Sequence, residues 1–468
     1  MGDRRLGFSS GMFRTLVAVL LFFPLFFQLT GNIFHDPSFV FDSEGSLKKL
    51  PLPLSILACY GGILLLGGYK RASLSLGVIF LSFGLMLLAC IVSAQDQVIN
   101  KPEKLLLLLQ FILPMFALVL GQTYEGSSSN ALIFEKVVLY ILSILVPIQL
   151  VISWVQGHTM LSSYLYLFSI YQHLQYVAVI FICGYLLSLY SLWPVPRFKM
   201  LLILLTPLIG IYAVASVSLL AYSAMIVGVI GFAIYRWRLG LDKLAMLVVF
   251  LVFLSSACYL PVAMSSSFKD AYIFPQKFAF LGAKLTPKEL QLREKFAEGA
   301  ELTPAEVQFS EEIAQTPVAK RLQYWEYYAK SIVSGSKVFI FGHAERPDRS
   351  KFQSAHNYYL DFVYNFGSLA VLPLVGVLGY TLVMVFRYRE AILASPSFLG
   401  LTVVVLFLLL VDNSLKVGLR QPYPGIITFF LWGLLLARIE SLRTADKRRL
   451  LGTRAINPEG FDYRVRKL

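Results

Sequence analysis

Residues 200–235 read MLLILLTPLIGIYAVASVSLLAYSAMIVGVIGFAIY, an apolar run of 36 residues without a charged side chain. One membrane helix needs only about 20 residues at ~1.5 Å each, so the run is too long for a single crossing. Lys199 and Arg236 flank it, and basic residues beside spans favour the cytoplasmic side. Two crossings place both residues there. The run therefore predicts two antiparallel spans joined by a very short outer turn near Ala215 and Ser216.

The composition of the whole chain agrees with this membrane assignment. Of the 468 residues, 57% are hydrophobic and 15% are charged, whereas a soluble domain has roughly 25% charged residues. We predict an all-α integral membrane protein with about twelve transmembrane helices and an inner N-terminus. The predicted spans lie near residues 13–31, 51–67, 73–93, 104–122, 135–155, 174–193, 199–215, 217–235, 244–262, 362–386, 398–412 and 424–438.

The net charge of +14 follows from this topology. The basic residues cluster at the inner ends of apolar runs, so we predict membrane lipids, and no nucleic acid, as partners. The first apolar run lacks a small-residue cleavage site and is predicted to be an uncleaved span. The four cysteines fall inside predicted spans and are expected to pack there, with no disulfide framework or zinc site.

One long polar interruption divides the apolar sequence. We predict that residues 1–262 hold spans one to nine, that residues 263–357 form a large outer helical loop, that residues 358–438 hold the last three spans, and that residues 439–468 form a basic cytoplasmic tail.

The large loop contains three helix-start signals, at Thr286, Thr303 and Pro317. On the third predicted helix Arg321 lies one turn before Trp325, on nearly the same side. The apolar face of this helix is predicted to consist of Leu322, Trp325, Ala329 and Ile332.

All five histidines fall on the predicted outer side: His35, His158, His173, His343 and His356. Imidazole is the usual proton carrier near neutral pH. His356 is the strongest candidate for a base, because it stands where the loop meets the tenth span. The alternative is an interfacial histidine that bonds a loop carbonyl.

Several outer residues have the chemistry to bind a sugar diphosphate. Arginine binds phosphate bidentately, and aromatic side chains can line a sugar site. The alternatives are a solvated helix face, aromatic residues packed onto the bilayer surface, and helix-end anchors. The candidates are Lys320, Arg321, Tyr324, Trp325, Lys416 and Arg420.

No P-loop, GxGxxG, zinc signature or GxSxG elbow occurs in the sequence. A metal-dependent transferase needs paired acids in an outer loop, and Asp42-Ser-Glu44 is the one candidate. This alternative stays open.

The end of the large loop resembles a known family. It contains Arg321-Leu-Gln-Tyr-Trp325, Gly342-His343, and His356-Asn357 followed after nine residues by Gly367. With some twelve spans and one large outer loop late in the chain, the sequence resembles the O-antigen ligase and polymerase superfamily of bacterial membrane glycosyltransferases. The motifs cover about residues 317–375, and the likeness in topology covers most of the chain.

The resemblance implies an activity and a location. Members take a glycan from a polyprenyl diphosphate carrier at the periplasmic face of the inner membrane. They transfer it to the lipid A-core or to a lipid-linked repeat unit. The resemblance implies that His356 is the catalytic histidine and Arg321 the arginine that holds the diphosphate, in an inverting reaction without metal, cofactor or nucleotide sugar. From the same motifs we predict that His343, Asn357 and Tyr358 bind substrate.

One feature departs from the family pattern. Many members carry an arginine at a short outer turn between two mid-chain spans, and here that turn, residues 214–219, contains none. Arg420, Lys416 and Arg293 are candidates to replace it. The alternative function is a lipid-glycan flippase or transporter without catalysis. Such folds often show internal repeats and mid-membrane charges, and here no long repeat is evident and the spans are nearly free of charge.

Overall fold

The computed structural model describes residues 10–24, 26–28, 51–66, 72–93, 101–124, 132–161, 174–238, 240, 243–270, 317–344 and 355–455. Within these residues, nine helices are long and apolar enough to cross a membrane. Three further apolar helices are shorter, Gly11–Phe22, Leu54–Leu66 and Tyr176–Leu192. The described part of the chain is thus a multi-pass helical membrane protein, as the sequence predicts. The total of twelve spans requires the three shorter helices to cross as well and stays a prediction.

The elements follow one another in chain order as α1 (Ser10–Phe22), β1 (Phe26–Gln28), β2 (Pro51–Pro53), α2 (Leu54–Leu66), α3 (Ser73–Ser93), α4 (Lys101–Met115), α5 (Ala117–Tyr124), α6 (Ile133–Val155), α7 (Leu174–Leu192), α8 (Pro196–Ala215), α9 (Leu219–Arg238), α10 (Lys243–Ala263), α11 (Pro317–Ile332), α12 (Ser336–Phe341), α13 (Tyr358–Arg387), α14 (Arg389–Ala394), α15 (Pro396–Leu406), a π-helix (Phe407–Asp412), α16 (Asn413–Leu415), a 3₁₀ turn (Gly418–Arg420) and α17 (Pro422–Ala455). The two short strands pair antiparallel, with Phe27 opposite Leu52.

The predicted division of the 36-residue run is confirmed. Helix α8 ends at Ala215 and α9 begins at Leu219. The backbone N–H of Ser216 still bonds the Tyr212 carbonyl at 2.9 Å, and Val217 then takes a positive φ of 51° that turns the chain. A turn this short leaves α8 and α9 antiparallel neighbours.

Contacts between helix ends show how the helices alternate in direction. At one end of the bundle, the basic end, Arg438 of α17 pairs with Glu135 in the first turn of α6 at 3.2 Å. At the opposite end, the site end, the Tyr423 hydroxyl at the start of α17 donates to the Phe22 carbonyl at the end of α1. The site end carries the candidate residues described below.

Several predicted boundaries are wrong. The first helix ends at Phe22, although its apolar run continues to residue 31, and β1 follows at Phe26. The tenth span starts at Tyr358, four residues early, and is broken at Gly367. The eleventh ends in a π-helix. The last helix continues to Ala455, and its segment apolar enough to cross a membrane, Pro422–Asp446, contains the predicted span 424–438. Cys258 is exposed instead of packed.

The predicted apolar face of α11 is also wrong in part. Leu322 is 57% exposed and Ala329 is exposed, whereas Tyr328 and Ile332 are buried. The buried face therefore runs along positions 321, 324, 325, 328 and 332, because Tyr328 packs on Tyr364 of α13 with ring centroids 4.9 Å apart. The predictions on Thr286, Thr303, His35, His173, Asp42, Glu44 and Arg293 fall outside the described residues.

Candidate functional site

Two glycines join the loop to the tenth span. Gly367 has φ 79° and ψ 171° inside α13 and breaks that helix, and Gly342 has φ 77°. A Cβ on Gly342 would lie 2.6 Å from the Phe366 nitrogen, and one on Gly367 would overlap the Ile340 carbonyl oxygen. Both positions therefore require glycine for two reasons, the positive φ and the close approach of two backbones. The two sequence motifs thus meet where α12 packs on the break in α13.

Lys104, which the sequence analysis missed, binds both segments of this junction. Lys104, near the start of α4, is 6% exposed. Its ammonium group donates to the His343 carbonyl and to the Asn365 carbonyl, at 2.7 Å each, and lies 5.1 Å from the centre of the Phe366 ring. The signal in the sequence was a lysine at the first position of the predicted span 104–122, directly before five leucines, and such a lysine is more often a solvated anchor.

His343 lies at this junction. Its backbone N–H donates to the Tyr364 carbonyl at 2.8 Å, and its ring stacks on Tyr364 at 4.2 Å. Its Nε2 lies 3.1 Å from the Ser331 carbonyl oxygen. Burial lowers the pKa of His343, against the effect of the Ser331 carbonyl, and Lys104 lowers it further. These contacts join α11, α12 and α13, and the role of His343 in substrate binding stays a prediction.

His356 lies in a strained, well-defined position. Its φ is 46°, a left-handed value that is uncommon for a residue other than glycine or asparagine. Before it, the Ala355 carbonyl accepts a hydrogen bond from Trp325 Nε1 at 2.9 Å. After it, Asn357 caps α13, since its side-chain oxygen accepts from the Tyr359 and Leu360 N–H groups at 3.0 and 3.1 Å. Asn357 and Trp325, both predicted to bind substrate, thus hold the backbone on either side of His356.

The imidazole ring of His356 faces α11. It is half-buried and stacks on Tyr324, with ring centroids 6.0 Å apart and planes 17° apart. Its pKa is lowered by burial first, and then by the charges of Arg321 and Arg420. The ring is therefore a neutral base at neutral pH, in a field of positive charge.

The predicted cations converge here from two separate parts of the chain. Arg321 comes from α11, whereas Lys416 and Arg420 come from the segment between α16 and α17. Burial lowers the pKa of Lys416, Asp412 opposes this shift, and the charge of Arg321 adds to it. Arg321 thus acts on both Lys416 and His356. The side chain of Lys320 is not among those the structure describes.

Two buried carboxylates balance these cations. Asp361, in the first turn of α13, pairs with Arg420 at 2.5 Å, and Asp412 pairs with Lys416 at 3.7 Å. Both carboxylate side chains are 5% exposed. Arg420 also lies 5.9 Å from the centre of the Phe111 ring. The sequence analysis missed both acids, although an acid at the end of an apolar span is by itself a signal of function.

The π-helix at the end of the eleventh span places the second pair. Asn413, directly after Asp412, donates from Nδ2 to the Leu408 carbonyl and accepts from the Leu419 N–H, both at 2.7 Å. The ammonium group of Lys416 lies 5.3 Å from the centre of the Tyr176 ring. Short π-helices inside longer helices often occur at functional sites.

Tyr358 is fully buried, at 0% exposure, beside Phe111 and Phe362. Its hydroxyl has no hydrogen-bond partner among the described residues. The side chain packs at the start of α13. The predicted contact of Tyr358 with substrate would require the residues packed around it to move away.

His158, the third histidine in the described region, has its contacts in another part of the structure. His158 Nδ1 pairs with both oxygens of Asp270 at 3.0 Å, and links the chain after α6 to the chain after α10. Within the described residues no group of three or more His, Cys, Asp or Glu side chains is placed to hold a metal ion.

The site thus combines a neutral imidazole, three nearby cations and two buried carboxylates at one end of an apolar bundle. Such a set can bind an anion with two or more negative charges and remove a proton beside it. No protein-family model matches this chain and no curated protein is similar to it in sequence, so its function has to be inferred from the chemistry of the site.

Proposed function

We propose that this chain is a glycosyltransferase of the bacterial inner membrane, of the O-antigen ligase or polysaccharide polymerase type. It moves a glycan from a polyprenyl diphosphate carrier to an acceptor sugar at the periplasmic face. The observation that carries the proposal is the convergence of Arg321 and Arg420 on His356, with Lys416 close enough to Arg321 for their charges to interact, at one end of the bundle. A sugar diphosphate needs cations at its leaving group, and an acceptor hydroxyl needs a base.

The donor diphosphate binds between Arg321 and Arg420 in this proposal. Arg321 is half-buried, and its side chain forms no ion pair with the residues the structure describes. Arg420 uses one guanidinium nitrogen on Asp361, while its Nε has no partner in the described region. Both guanidinium groups can therefore accept a further anion. Their partial burial strengthens that interaction, since water screens it less.

The transfer is one displacement at the anomeric carbon. His356 accepts the proton of the acceptor hydroxyl while the hydroxyl oxygen forms the new bond to that carbon. The bond between the carbon and the diphosphate oxygen breaks, and the diphosphate leaves with the bonding electrons, so the anomeric configuration inverts. Arg321 and Arg420 stabilise the charge that develops on the leaving group. The acceptor is the lipid A-core or a second lipid-linked repeat unit.

The decisive experiment measures transfer in reconstituted vesicles from a lipid-linked donor with a labelled glycan. Arg321→Ala should abolish transfer, and Lys330→Ala is the matched control, because Lys330 lies on the same helix and its side chain is 75% exposed. His356→Asn keeps a residue that tolerates the positive φ but lacks the basic nitrogen. It should lower turnover by about 10²–10⁴ while donor binding is retained.

The outcome also separates catalysis from transport. A flippase would deliver the donor to the other leaflet with the glycan still attached to the carrier. Normal formation of the new glycosidic bond by Arg321→Ala and His356→Asn, at equal amounts of folded protein, would remove the proposal.

A further inference from the structure

Helix α12 and the turn before it expose an apolar surface that no described residue covers. Val333 is 68% exposed, Phe339 is 46% exposed and Ile340 is 38% exposed. The segment lies in the polar loop, where apolar side chains at these positions gain nothing from contact with water. We call these three residues the α12 face.

The depth of the α12 face follows from its contact with Gly367. Counting from Gly367 to Arg387, the basic residue at the other end of α13, gives 20 residues. At ~1.5 Å per residue these span about 30 Å, the thickness of the hydrocarbon core. Ile340 touches Gly367. Helix α12 is therefore at the level where the hydrocarbon begins, below the charged groups around His356.

A second count, on a different helix, gives the same level. Lys104 contacts the carbonyls of His343 and Asn365, and the apolar run of its own helix begins directly after it, at Leu105. Lysine is common at the ends of membrane helices, just outside the hydrocarbon. The junction of α12 with α13 therefore lies at the membrane boundary by both counts.

The α12 face also continues a surface that faces lipid. Helix α12 packs against α3 and α13. Near the end of α3, Leu88 and Ile91 are 42% and 62% exposed, and Leu372, five residues after Gly367 on α13, is 58% exposed. Since α3 and α13 are both apolar enough to cross a membrane, their exposed residues face acyl chains.

We propose that the α12 face is inserted into the membrane leaflet at the site end, in contact with the upper acyl chains, as an interfacial segment that crosses nothing. The partner is the phospholipid bilayer. The site is thereby held directly above the hydrocarbon boundary, at the level of the lipid headgroups. This inference depends on the membrane-spanning fold and not on the proposed chemistry.

The test is the accessibility of a nitroxide spin label in the full chain, reconstituted in phospholipid nanodiscs. The label is attached to Phe339→Cys or, in a second protein, Val333→Cys, with Cys90 and Cys258 replaced by alanine. Leu372→Cys provides the lipid reference and Lys330→Cys the aqueous reference. Labels on the α12 face should collide more with oxygen, which concentrates in lipid, than with a water-soluble nickel chelate, as at Leu372→Cys. The reverse order is expected at Lys330→Cys.

Two results would overturn the inference. Labels at both α12 positions with the accessibility of the aqueous reference would place the face in water. Labels protected from both reagents would mean that protein covers it, and dependence of that protection on protein concentration would identify a second copy. Size-exclusion profiles identical to that of the unlabelled protein verify that each variant is folded.

Discussion

Replacing Lys104 by methionine is expected to loosen the junction of α12 with α13 without unfolding the bundle. The Lys104 ammonium group donates to the His343 and Asn365 carbonyls at 2.7 Å each, in a buried position. Methionine keeps an apolar stem of similar length but has no N–H donor. Both carbonyls therefore lose their charged partner, while the packing of the stem is kept.

The size of the effect follows from those two bonds. A buried carbonyl left without a donor costs ~1–3 kcal/mol, so two cost about 2–6 kcal/mol. Removing the ammonium group also removes its own desolvation cost, which places the net loss toward the lower end of this range. We therefore expect a net loss of about 2–3 kcal/mol at the junction. Since about 1.4 kcal/mol corresponds to a factor of ten, local opening should become about 30 to 150 times more frequent.

Hydrogen–deuterium exchange measures this opening directly. The N–H groups of Gly342 and His343 bond the Val338 and Tyr364 carbonyls at 2.7 and 2.8 Å, so peptides covering residues 336–344 report on the junction. Lys243→Met is the control, because Lys243 is exposed at the start of α10. Unchanged exchange of these peptides in Lys104→Met, or an equal increase in every helix, would refute this account of Lys104.

Three further predictions concern neighbouring groups. Gly367→Ala should reduce the amount of folded protein, because its Cβ overlaps a carbonyl and its φ is positive, whereas Gly376→Ala on the same helix, with nothing within 4 Å, should be tolerated; thermal unfolding in detergent measures both. Asp361→Asn removes the charge that orients Arg420, so inorganic diphosphate should bind more tightly while turnover falls. The pKa of His356 is lowered, so kcat/KM should be constant at neutral pH and fall only as the pH drops through a value below 6.5, where the base becomes protonated; a limb above 6.5 would contradict the assignment.

The sequence predicted best those helices whose position is decided by lipid. In hydrocarbon every backbone group must bond within the helix and side chains must be apolar, so long charge-free runs flanked by basic residues are strong signals. Helix α3 lies at residues 73–93, as predicted, and α8 ends at Ala215, as predicted. Lys199 and Arg236, at the two ends of the 36-residue run, required an even number of crossings, and this requirement divided the run into α8 and α9.

Breaks within apolar runs were beyond the reach of the sequence. Helix α13 breaks at Gly367 because the backbone of Ile340 approaches it, and Ile340 lies 27 positions earlier in a separate element. Hydropathy does not register such a contact. The same holds for the buried face of α11, which Tyr364 selects from another helix. Gly342 and Gly367 were noticed as parts of sequence motifs, and the physical reason for them, the close approach of two backbones, is visible only in the structure.

The basic residues of the candidate site were predictable from the sequence, but the carboxylates that balance their charge were not. His356 and the three cations were found because each type has a known chemistry with phosphate or protons. Asp361 and Asp412 were missed because each is a single acid in an apolar run. Asp361 pairs with Arg420, which lies 59 residues further along the chain, and Asp412 pairs with Lys416, one helical turn later.

The charges around His356 indicate which of the three cations an incoming anion would bind most strongly. Among the residues that the structure describes, three positive groups, Arg321, Lys416 and Arg420, accompany two carboxylates, Asp361 and Asp412, and these five groups carry one positive charge in excess while the imidazole is neutral. Two of the cations already have a buried carboxylate as partner, so an incoming anion must compete for them. The excess charge is therefore carried by Arg321, on the helix that also stacks Tyr324 on His356. An anion reaching the site gains most from Arg321, and its arrival offsets the positive field that lowers the pKa of the imidazole. In the proposed reaction, binding of the diphosphate would thereby make His356 a stronger base at the stage when a proton has to be removed.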